Sequence, residues 1–326
     1  LAADNGTAVS VIEGLSAYRG NRVQYEPGPK LFNGTTHFVR EVDVNTTDRS
    51  GFNEAVRAAR NKDVVIMVLG EEGFQSGEAR NSSSLQLPGM QQELLEAVYK
   101  VNKNIVLVLM NGRPLALTWA DEHIPTIVEA WQLGTRSGDA IAQVLYGDYN
   151  PSGKLPMTFP RSVGQVPLYY NHKMTGRPTL PDPPMVFWSH YQDETNDPLY
   201  AFGHGLSYTT FEYSDLSLSA PSFKEGGSIE VSFQLKNTGN YEGREVAQFY
   251  IRDMVGSITR PIKELKGFEL VNLKPGESKM VTFSIDDPML QFYNNQGKLV
   301  LESGDYKVFV GGSSNTSLEA DFVLED

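Results

Sequence analysis

The apolar residues of the chain follow two different periodicities, one in each half of the sequence. In the first half, short continuous apolar runs alternate with segments whose apolar residues recur every three or four positions. Continuous runs of this length are typical of strands covered on both faces, and the wider spacing is typical of helices. The strands predicted in this way are 64–69, 105–110 and 126–130, and the helices are 51–61, 138–146 and 88–101. The last of these opens on Pro88, a residue favoured in the first turn of a helix. Strand and helix in alternation predict a parallel sheet flanked by helices.

In the second half, apolar and polar residues alternate one by one. The stretch "SIEVSFQLKNTG" does so at Ile229, Val231, Phe233 and Leu235, and "MVTFSI" and "DYKVFVGG" repeat the pattern. The turn-forming sequences "KNTGN", "LKPGES" and "ESGD" separate these runs, and no helical stretch interrupts them. Period-two strands with such punctuation predict an antiparallel β-sandwich of immunoglobulin-like type.

The predicted fold is therefore an α/β three-layer sandwich with a largely parallel sheet, followed by an all-β immunoglobulin-like sandwich. We place the α/β domain at residues 1–160 and the β-sandwich at residues 213–326. The Pro- and Tyr-rich stretch 161–212 between them lacks a regular pattern. Its length predicts a linker that wraps across a neighbouring domain or carries function.

Composition excludes several classes of function. The net charge of −12 and the pI near 5.0 argue against nucleic acid or an anionic membrane surface as a partner. The chain has no cysteine, which excludes disulfides, thiolate catalysis and cysteine-ligated zinc. The five histidines lack metal-ligand spacing and there is no G-x-G-x-x-G fingerprint, so we expect no metal and no other cofactor. No apolar run approaches the roughly 20 residues that span a bilayer.

One long polar loop lies where chemistry is expected. The sequence "SGEARNSSSLQLPG" follows the buried strand 64–69, and ligands of open parallel sheets bind beyond the carboxyl ends of the strands. Glu71, Glu72 and Glu78 lie in this region, and a carboxyl group there is a candidate general acid. From position alone, a solvated loop charge is the simpler interpretation of Glu78.

Two further motifs are interpreted as turns. The stretch "GDYNPSGKL" resembles a phosphate-binding loop, but five residues separate Gly147 from Gly153, and Lys154 is followed by Leu155. His204 lies in "FGHGLSY", where the flanking glycines predict a tight turn.

A set of aromatic residues accompanies the carboxylate loop. Sugar rings stack on aromatic faces, so these residues suit a carbohydrate ligand, and aromatic packing between two domains is an equally good interpretation. The residues concerned are Trp131, Tyr169, Tyr170, Phe187, Trp188, Tyr191 and Tyr200.

Three long motifs carry a resemblance to a known family. The stretches "VLMNGRPLAL", "GDYNPSGKLPMTFPRSVGQVPLYYNHKMTGRP" and "LYAFGHGLSYTTFEYSDLSLS" closely resemble the C-terminal half of family 3 glycoside hydrolases, in particular β-glucosidases of the bacterial periplasmic type. The resemblance covers residues 63–326. It implies a (β/α)₈ barrel followed by an α/β sandwich and a fibronectin type III-like domain, of which this chain matches the last two.

The resemblance also implies roles for site residues. In this family the acid/base is a glutamate on a loop of the α/β sandwich, between a strand ending in Gly-Glu and a Leu-X-Leu-Pro sequence. That pattern identifies Glu78 as the catalytic acid/base, with Glu71 and Glu72 as second choices. Relatives often carry an arginine shortly before Leu-X-Leu-Pro, where this chain has Ser82 and Ser83; Arg80 is the candidate substrate-binding substitute.

The implied activity is a retaining, exo-acting β-glucosidase that hydrolyses terminal β-glucosyl residues of glucosides or oligosaccharides. A β-xylosidase or other family 3 exo-glycosidase is the alternative, and a non-catalytic carbohydrate-binding or scaffold module is a second. The nucleophilic aspartate belongs to the family's barrel, so we expect this chain to be a C-terminal piece, inactive alone, that also lacks the first strand of its sandwich domain. The expected partners are the substrate, the missing barrel and a second copy of the chain, and the expected location is periplasmic or secreted.

Overall fold

The computed structural model describes residues 6–37, 39–174, 176–177 and 185–326. The chain forms two compact units. The first unit runs to Tyr149 and includes Pro160–Val166, and the second comprises Asn150–Phe159 and Pro167–Asp326. None of the helices within the described ranges is long and apolar enough to cross a membrane.

The first unit is built on a three-stranded parallel sheet in the order β1-β2-β3, as the alternation of strands and helices predicts. Its elements, in chain order, are α1 Val11–Ser16, α2 Phe52–Ala59, β1 Val65–Gly70, α3 Gln91–Val101, β2 Ile105–Met110, α4 Thr118–His123, β3 Thr126–Glu129 and α5 Ser137–Tyr146. β2 is the central strand, and Leu107, Val108 and Leu109 on it are fully buried. A strand covered on both faces explains the continuous apolar run.

The predicted start of α3 is wrong by three residues. The helix begins at Gln91 rather than at Pro88. Gly89 between them has φ +65°, and a Cβ at this position would lie 2.8 Å from the carbonyl oxygen of Asn45. Residues 88–90 therefore form a turn, because a left-handed residue cannot belong to a right-handed helix.

Helices α1 and α5 approach each other through two glycines. A Cβ on Gly14 would lie 2.1 Å from the carbonyl oxygen of Gly138. The N-terminus of α1 is fixed by a capping box, in which the Ser10 hydroxyl accepts from the backbone of Glu13 and the Glu13 carboxylate accepts from the backbone of Ser10. The close contact of Gly14 with the Gly138 backbone leaves no room for a side chain at Gly14.

The second unit is a β-sandwich of two main sheets. One sheet has the order β5-β13-β12-β7-β8, the other has the order β4-β6-β9, and β10 and β11 form a small hairpin. The strands, with one short helix, are β4 Phe211–Leu218, β5 Ser222–Lys224, β6 Ser228–Asn237, β7 Gly243–Asp253, β8 Glu264–Leu273, β9 Ser278–Asp286, α6 Asp287–Leu290, β10 Phe292–Tyr293, β11 Leu299–Val300, β12 Gly304–Gly311 and β13 Leu318–Glu325. The alternating residues of β6 face the core, where Phe233, Phe249 and Phe283 stack. The predicted antiparallel pairing holds except for β5, which pairs with β13 in parallel.

The stretch "GDYNPSGKL" is a connecting segment that ends in a buried ion pair. Residues 147–155 contain no helix or strand, which confirms a turn. Lys154 Nζ lies 2.9 Å from Glu245 Oε1 and donates a hydrogen bond to the carbonyl oxygen of Gly205 at 3.2 Å. Glu245 Oε1 also accepts a hydrogen bond of 2.9 Å from the Tyr213 hydroxyl. Burial and the Glu245 charge raise the pKa of Tyr213 well above its ordinary range. Lys154 thus joins the segment to β7.

Replacing Gly14 by alanine should destabilise the first unit by about 1–3 kcal/mol, because the new methyl group would overlap the backbone of α5. The free energy of unfolding of the chain in urea measures this. Gly164→Ala is the control, since a Cβ there meets only Ser162 Oγ, at 3.5 Å. Equal stability of the two variants would contradict the close contact of α1 with α5.

Lys154→Met should cost on the order of 3–5 kcal/mol, because it leaves the Glu245 carboxylate buried without its cation. Adding Glu245→Gln should recover a large part of that loss, as measured by a double-mutant cycle in urea. The matched control is Arg57→Met, which removes the exposed ion pair with Glu54 and should cost less than about 1 kcal/mol. A Lys154→Met loss as small as that control would show that the pair is not buried in solution.

Candidate active site

The polar loop begins and ends at the same place on the sheet. β1 ends at Gly70, which has φ +134° and whose Cβ would lie 2.1 Å from the carbonyl oxygen of Met110. Gln91, the first residue of α3, accepts a hydrogen bond from the Gly70 N–H at 2.6 Å and donates to the Gly70 carbonyl at 2.7 Å. The intervening residues therefore leave and re-enter the fold at the carboxyl edge of the sheet.

Two of the loop's carboxylates are engaged by the loop and its neighbours. Glu71 Oε1 forms an ion pair with Arg113 Nε at 2.9 Å, Glu71 Oε2 accepts from the Gly112 N–H at 3.3 Å, and only 7% of the Glu71 side chain is exposed. Glu72 accepts a hydrogen bond of 2.9 Å from the Phe74 N–H, which caps the short 3₁₀ helix Gly73–Gln75. These two side chains hold the local structure together.

Glu78 lies on the exposed tip of the loop. Its neighbours Gly77 and Ala79 have φ values of +132° and +59°, and the Arg80 N–H donates to the Gly77 carbonyl at 3.1 Å. No hydrogen bond or ion pair joins the Glu78 side chain to any residue that the structure describes. Of the three carboxylates, Glu78 is the exposed one.

Arg80 is engaged within the first unit. Its Nη1 donates to the carbonyl oxygen of Arg40 at 3.2 Å and lies 3.6 Å from the Glu41 carboxylate. The Arg80 side chain is 15% exposed. Its role in binding substrate stays a prediction.

Arg113 links the loop to the end of β2. Its Nη2 donates to the carbonyl oxygens of Gln75 and Arg80, the latter at 3.1 Å. These carbonyls flank the tip that carries Glu78. Sequence reasoning assigned Arg113 no role within "NGRP", because its partners are distant along the chain.

A buried cluster around Glu129 lies at the ends of β2 and β3. Glu129 accepts hydrogen bonds from the Trp131 N–H at 3.0 Å and from Asn111 Nδ2 at 3.4 Å. Burial raises the pKa of Glu129 to about 7, and these two hydrogen bonds only partly oppose the rise. Asn111 is fully buried and also donates to the carbonyl oxygen of Arg113 at 2.7 Å, whereas its Oδ1 accepts no hydrogen bond from the described part of the chain. The sequence signal for Glu129 was its place at the end of an apolar strand.

A cavity of about 410 Å³ opens beside the start of the loop. Its walls include Glu71, Glu72, Leu94 and the segment 27–31. Glu78 is not among the lining residues. Across the described ranges, no group of three or more His, Asp or Glu side chains is placed to hold a metal ion.

The candidate aromatic residues are divided between the two units. Trp131 belongs to the first unit and the other six to the second. Tyr170 stacks on Phe202 and Tyr200 stacks on His204, so both pack inside the second unit. The side chains of the set that are exposed are Tyr169, Phe187 and Tyr191.

The chain matches two family models. Residues 3–208 match the glycosyl hydrolase family 3 C-terminal domain, and residues 245–314 match the fibronectin type III-like domain. The two models correspond to the α/β and β-rich parts of the fold, as the resemblance predicts.

The curated relatives include a beta-glucosidase and a beta-xylosidase. A periplasmic beta-glucosidase of Salmonella typhimurium is 45% identical over 97% of this chain and 43% of its own length. A beta-xylosidase of Formosa agariphila is 40% identical over 94% of this chain and 40% of its own length. The chain therefore spans about two fifths of the length of these relatives.

Solved structures of β-glucosidases share the fold. The enzyme of Listeria innocua superposes with a TM-score of 0.86 at 36% identity, covering 99% of this chain and 42% of that chain. The enzyme of Erythrobacter marinus gives a TM-score of 0.88 at 37% identity, covering 98% of this chain and 43% of that chain.

The raised pKa of Glu129 predicts a specific pH dependence of stability. Between the ordinary value of 4.5 and about 7, the unfolded state loses this proton while the folded state keeps it, so stability falls as pH rises through this window. The loss is on the order of 3 kcal/mol by pH 8, since a pKa difference of one between the folded and unfolded states is worth about 1.4 kcal/mol. Glu129→Gln should remove this slope when unfolding free energies are compared from pH 4.5 to 8.

Glu122→Gln, at an exposed position on α4, is the control and should keep the slope of the original chain. The same slope in Glu129→Gln and the original chain would contradict the assignment.

Proposed function

Because this chain belongs to glycoside hydrolase family 3, we propose that it supplies the general acid/base of a retaining, exo-acting β-glucosidase, and that Glu78 is that residue. One observation carries the proposal: Glu71 is engaged by Arg113 and the Gly112 N–H and Glu72 by the Phe74 N–H, whereas the Glu78 carboxylate is exposed at the loop tip. A general acid must come within hydrogen-bond reach of the oxygen that it protonates, and an exposed carboxylate is accessible to that oxygen.

The chemistry assigns Glu78 two successive tasks. In a retaining enzyme one carboxylate attacks the anomeric carbon while a carboxylic acid about 5–5.5 Å away protonates the leaving oxygen. Glu78 would give its proton to that oxygen and then, as a carboxylate, take a proton from the water that releases the sugar. The nucleophile would be an aspartate of a (β/α)₈ barrel outside these 326 residues. Closure of barrel and loop around the sugar would exclude water from the proton transfer.

The substrate we propose is a terminal β-glucosyl residue of a glucoside or short oligosaccharide. The names of several relatives support glucose, and two solved structures of the Listeria innocua enzyme are complexes with glucose and with laminaribiose. The match to a beta-xylosidase favours β-xylosyl groups as the second candidate. The name of the Salmonella typhimurium relative supports a periplasmic location. We also propose that the chain acts together with a (β/α)₈ barrel and that it forms a homodimer.

The role of Glu78 can be tested in a chimera in which this chain replaces the matching segment of the Salmonella typhimurium periplasmic beta-glucosidase. Glu78→Ala should lower kcat on phenyl β-glucoside by roughly 10²–10⁴-fold, since the poor leaving group needs the acid. The dinitrophenolate of dinitrophenyl β-glucoside leaves without protonation, so this substrate should still form the glycosyl-enzyme. Azide should then restore turnover by reacting with the glycosyl-enzyme to give β-glucosyl azide.

The exposed Glu122→Ala is the matched control and should leave every rate unchanged. Near-normal activity of Glu78→Ala on phenyl β-glucoside would refute the assignment. Calorimetric binding of glucose to the 326-residue chain alone would favour a carbohydrate-binding module instead. Faster turnover of aryl β-xylosides than of β-glucosides by the chimera would favour the second candidate.

A further inference from the structure

We propose that Arg113 is the positioning residue of the acid/base loop: its guanidinium holds the two ends of the turn that carries Glu78. The inference rests on the proposed role of Glu78. Arg113 Nη2 donates to the carbonyl oxygens of both Gln75 and Arg80. One nitrogen thus fixes the residues on either side of the tip 76–79.

The guanidinium is itself anchored to the sheet. Nε faces Glu71 Oε1 at 2.9 Å, and the Glu71 N–H donates to the Met110 carbonyl at 2.8 Å. The fully buried Asn111 donates to the Arg113 carbonyl at 2.7 Å and so fixes the backbone of the 111–113 turn. An unbroken set of contacts therefore runs from the paired strands to the loop tip.

A second contact shows that the loop lies directly on the 111–113 turn. A Cβ on Gly112 would lie 1.9 Å from Ser76 Oγ and 2.6 Å from Ser76 Cβ. Gly112 has no side chain, and this lets Ser76 and the loop tip rest against the turn. The path of the loop therefore depends on residues 112 and 113 together.

The consequence for catalysis follows from the isolation of Glu78. Since its side chain contacts no described residue through a hydrogen bond or ion pair, its place is set by the backbone of 75–80. Misplacing a catalytic group by about 1 Å can cost about 100-fold in rate. Lysine cannot replace Arg113, because an ammonium lacks the planar fork that faces a carboxylate and two carbonyls at once.

The test uses the same chimera and compares leaving groups. Arg113→Ala and Arg113→Lys should each lower kcat on phenyl β-glucoside by about 100-fold. KM and the rate of glycosyl-enzyme formation from dinitrophenyl β-glucoside should change by less than about threefold, because that step needs no acid. The exposed Arg57→Ala is the control and should leave all rates unchanged.

A second pair of variants keeps Arg113 in place, in case its removal prevents folding. Gly112→Ala pushes its methyl group against Ser76 and should reproduce the selective loss on phenyl β-glucoside. Adding Ser76→Gly removes the overlapping atoms and should restore the rate.

The outcomes separate this inference from the proposed function. If Glu78→Ala shows the leaving-group signature and the Arg113 variants do not, Arg113 is not a positioning residue. Equal losses on both substrates with a lowered Tm in the Arg113 variants would likewise overturn the inference, since they indicate a merely structural role. If Glu78→Ala itself lacks the signature, the proposed function fails.

Discussion

The parallel pairing of β1 with β2 is the constraint on which the candidate site depends. Its register sets Leu69 opposite Leu109 and Gly70 opposite Met110, so both strands end at the same level. Glu71, the residue after β1, then meets the turn that follows β2. A slip of one residue would displace the turn after β2 from Glu71, so the contact of Glu71 with the Gly112 N–H depends on this register.

The ion pair of Glu71 with Arg113 connects the paired strands to the loop and so fixes the loop conformation. Burying two charges costs free energy unless their remaining hydrogen-bonding groups are satisfied. Here the Gly112 N–H donates to the Glu71 carboxylate and the carbonyls of Gln75 and Arg80 accept from Arg113 Nη2, whereas Arg113 Nε, which faces Glu71, makes no hydrogen bond within the described part of the chain. Glu129 ends the neighbouring strand, its carboxylate forms no ion pair within the described part of the chain, and burial raises its pKa to about 7. Strand ends on one edge thus place carboxyl groups in different electrostatic environments.

Ion pairs of buried side chains also stabilise the second unit. Alternating side chains fill the sandwich core, and the buried carboxylates of Glu245 and Asp253 face basic side chains. Lys154 meets Glu245, and Arg260 Nη2 lies 2.8 Å from Glu264 while its Nε lies 3.5 Å from Asp253. The segment that carries Lys154 is anchored again where Phe159 bridges Tyr200. A motif that resembles a phosphate loop is therefore explained by the packing of a connecting segment.

The sequence by itself determined β1, β2 and β3, helices α2, α3 and α5, and the candidate loop, but it did not predict the short helices α1 and α4. Apolar periodicity is a local property, so it located β2 at 105–110 as observed, and it erred at Pro88, where the contact of Gly89 with Asn45 overrides helix propensity. Family motifs singled out Glu78 within its loop. Only the tertiary structure decided which carboxylates are engaged and which is exposed, and that Arg113, Asn111 and Glu129 belong to the same edge. Glu71 and Gly112 lie 41 positions apart, and Arg113 lies 38 and 33 positions from its carbonyl partners. Contacts over such separations are set by strand register, which no local pattern of residues encodes.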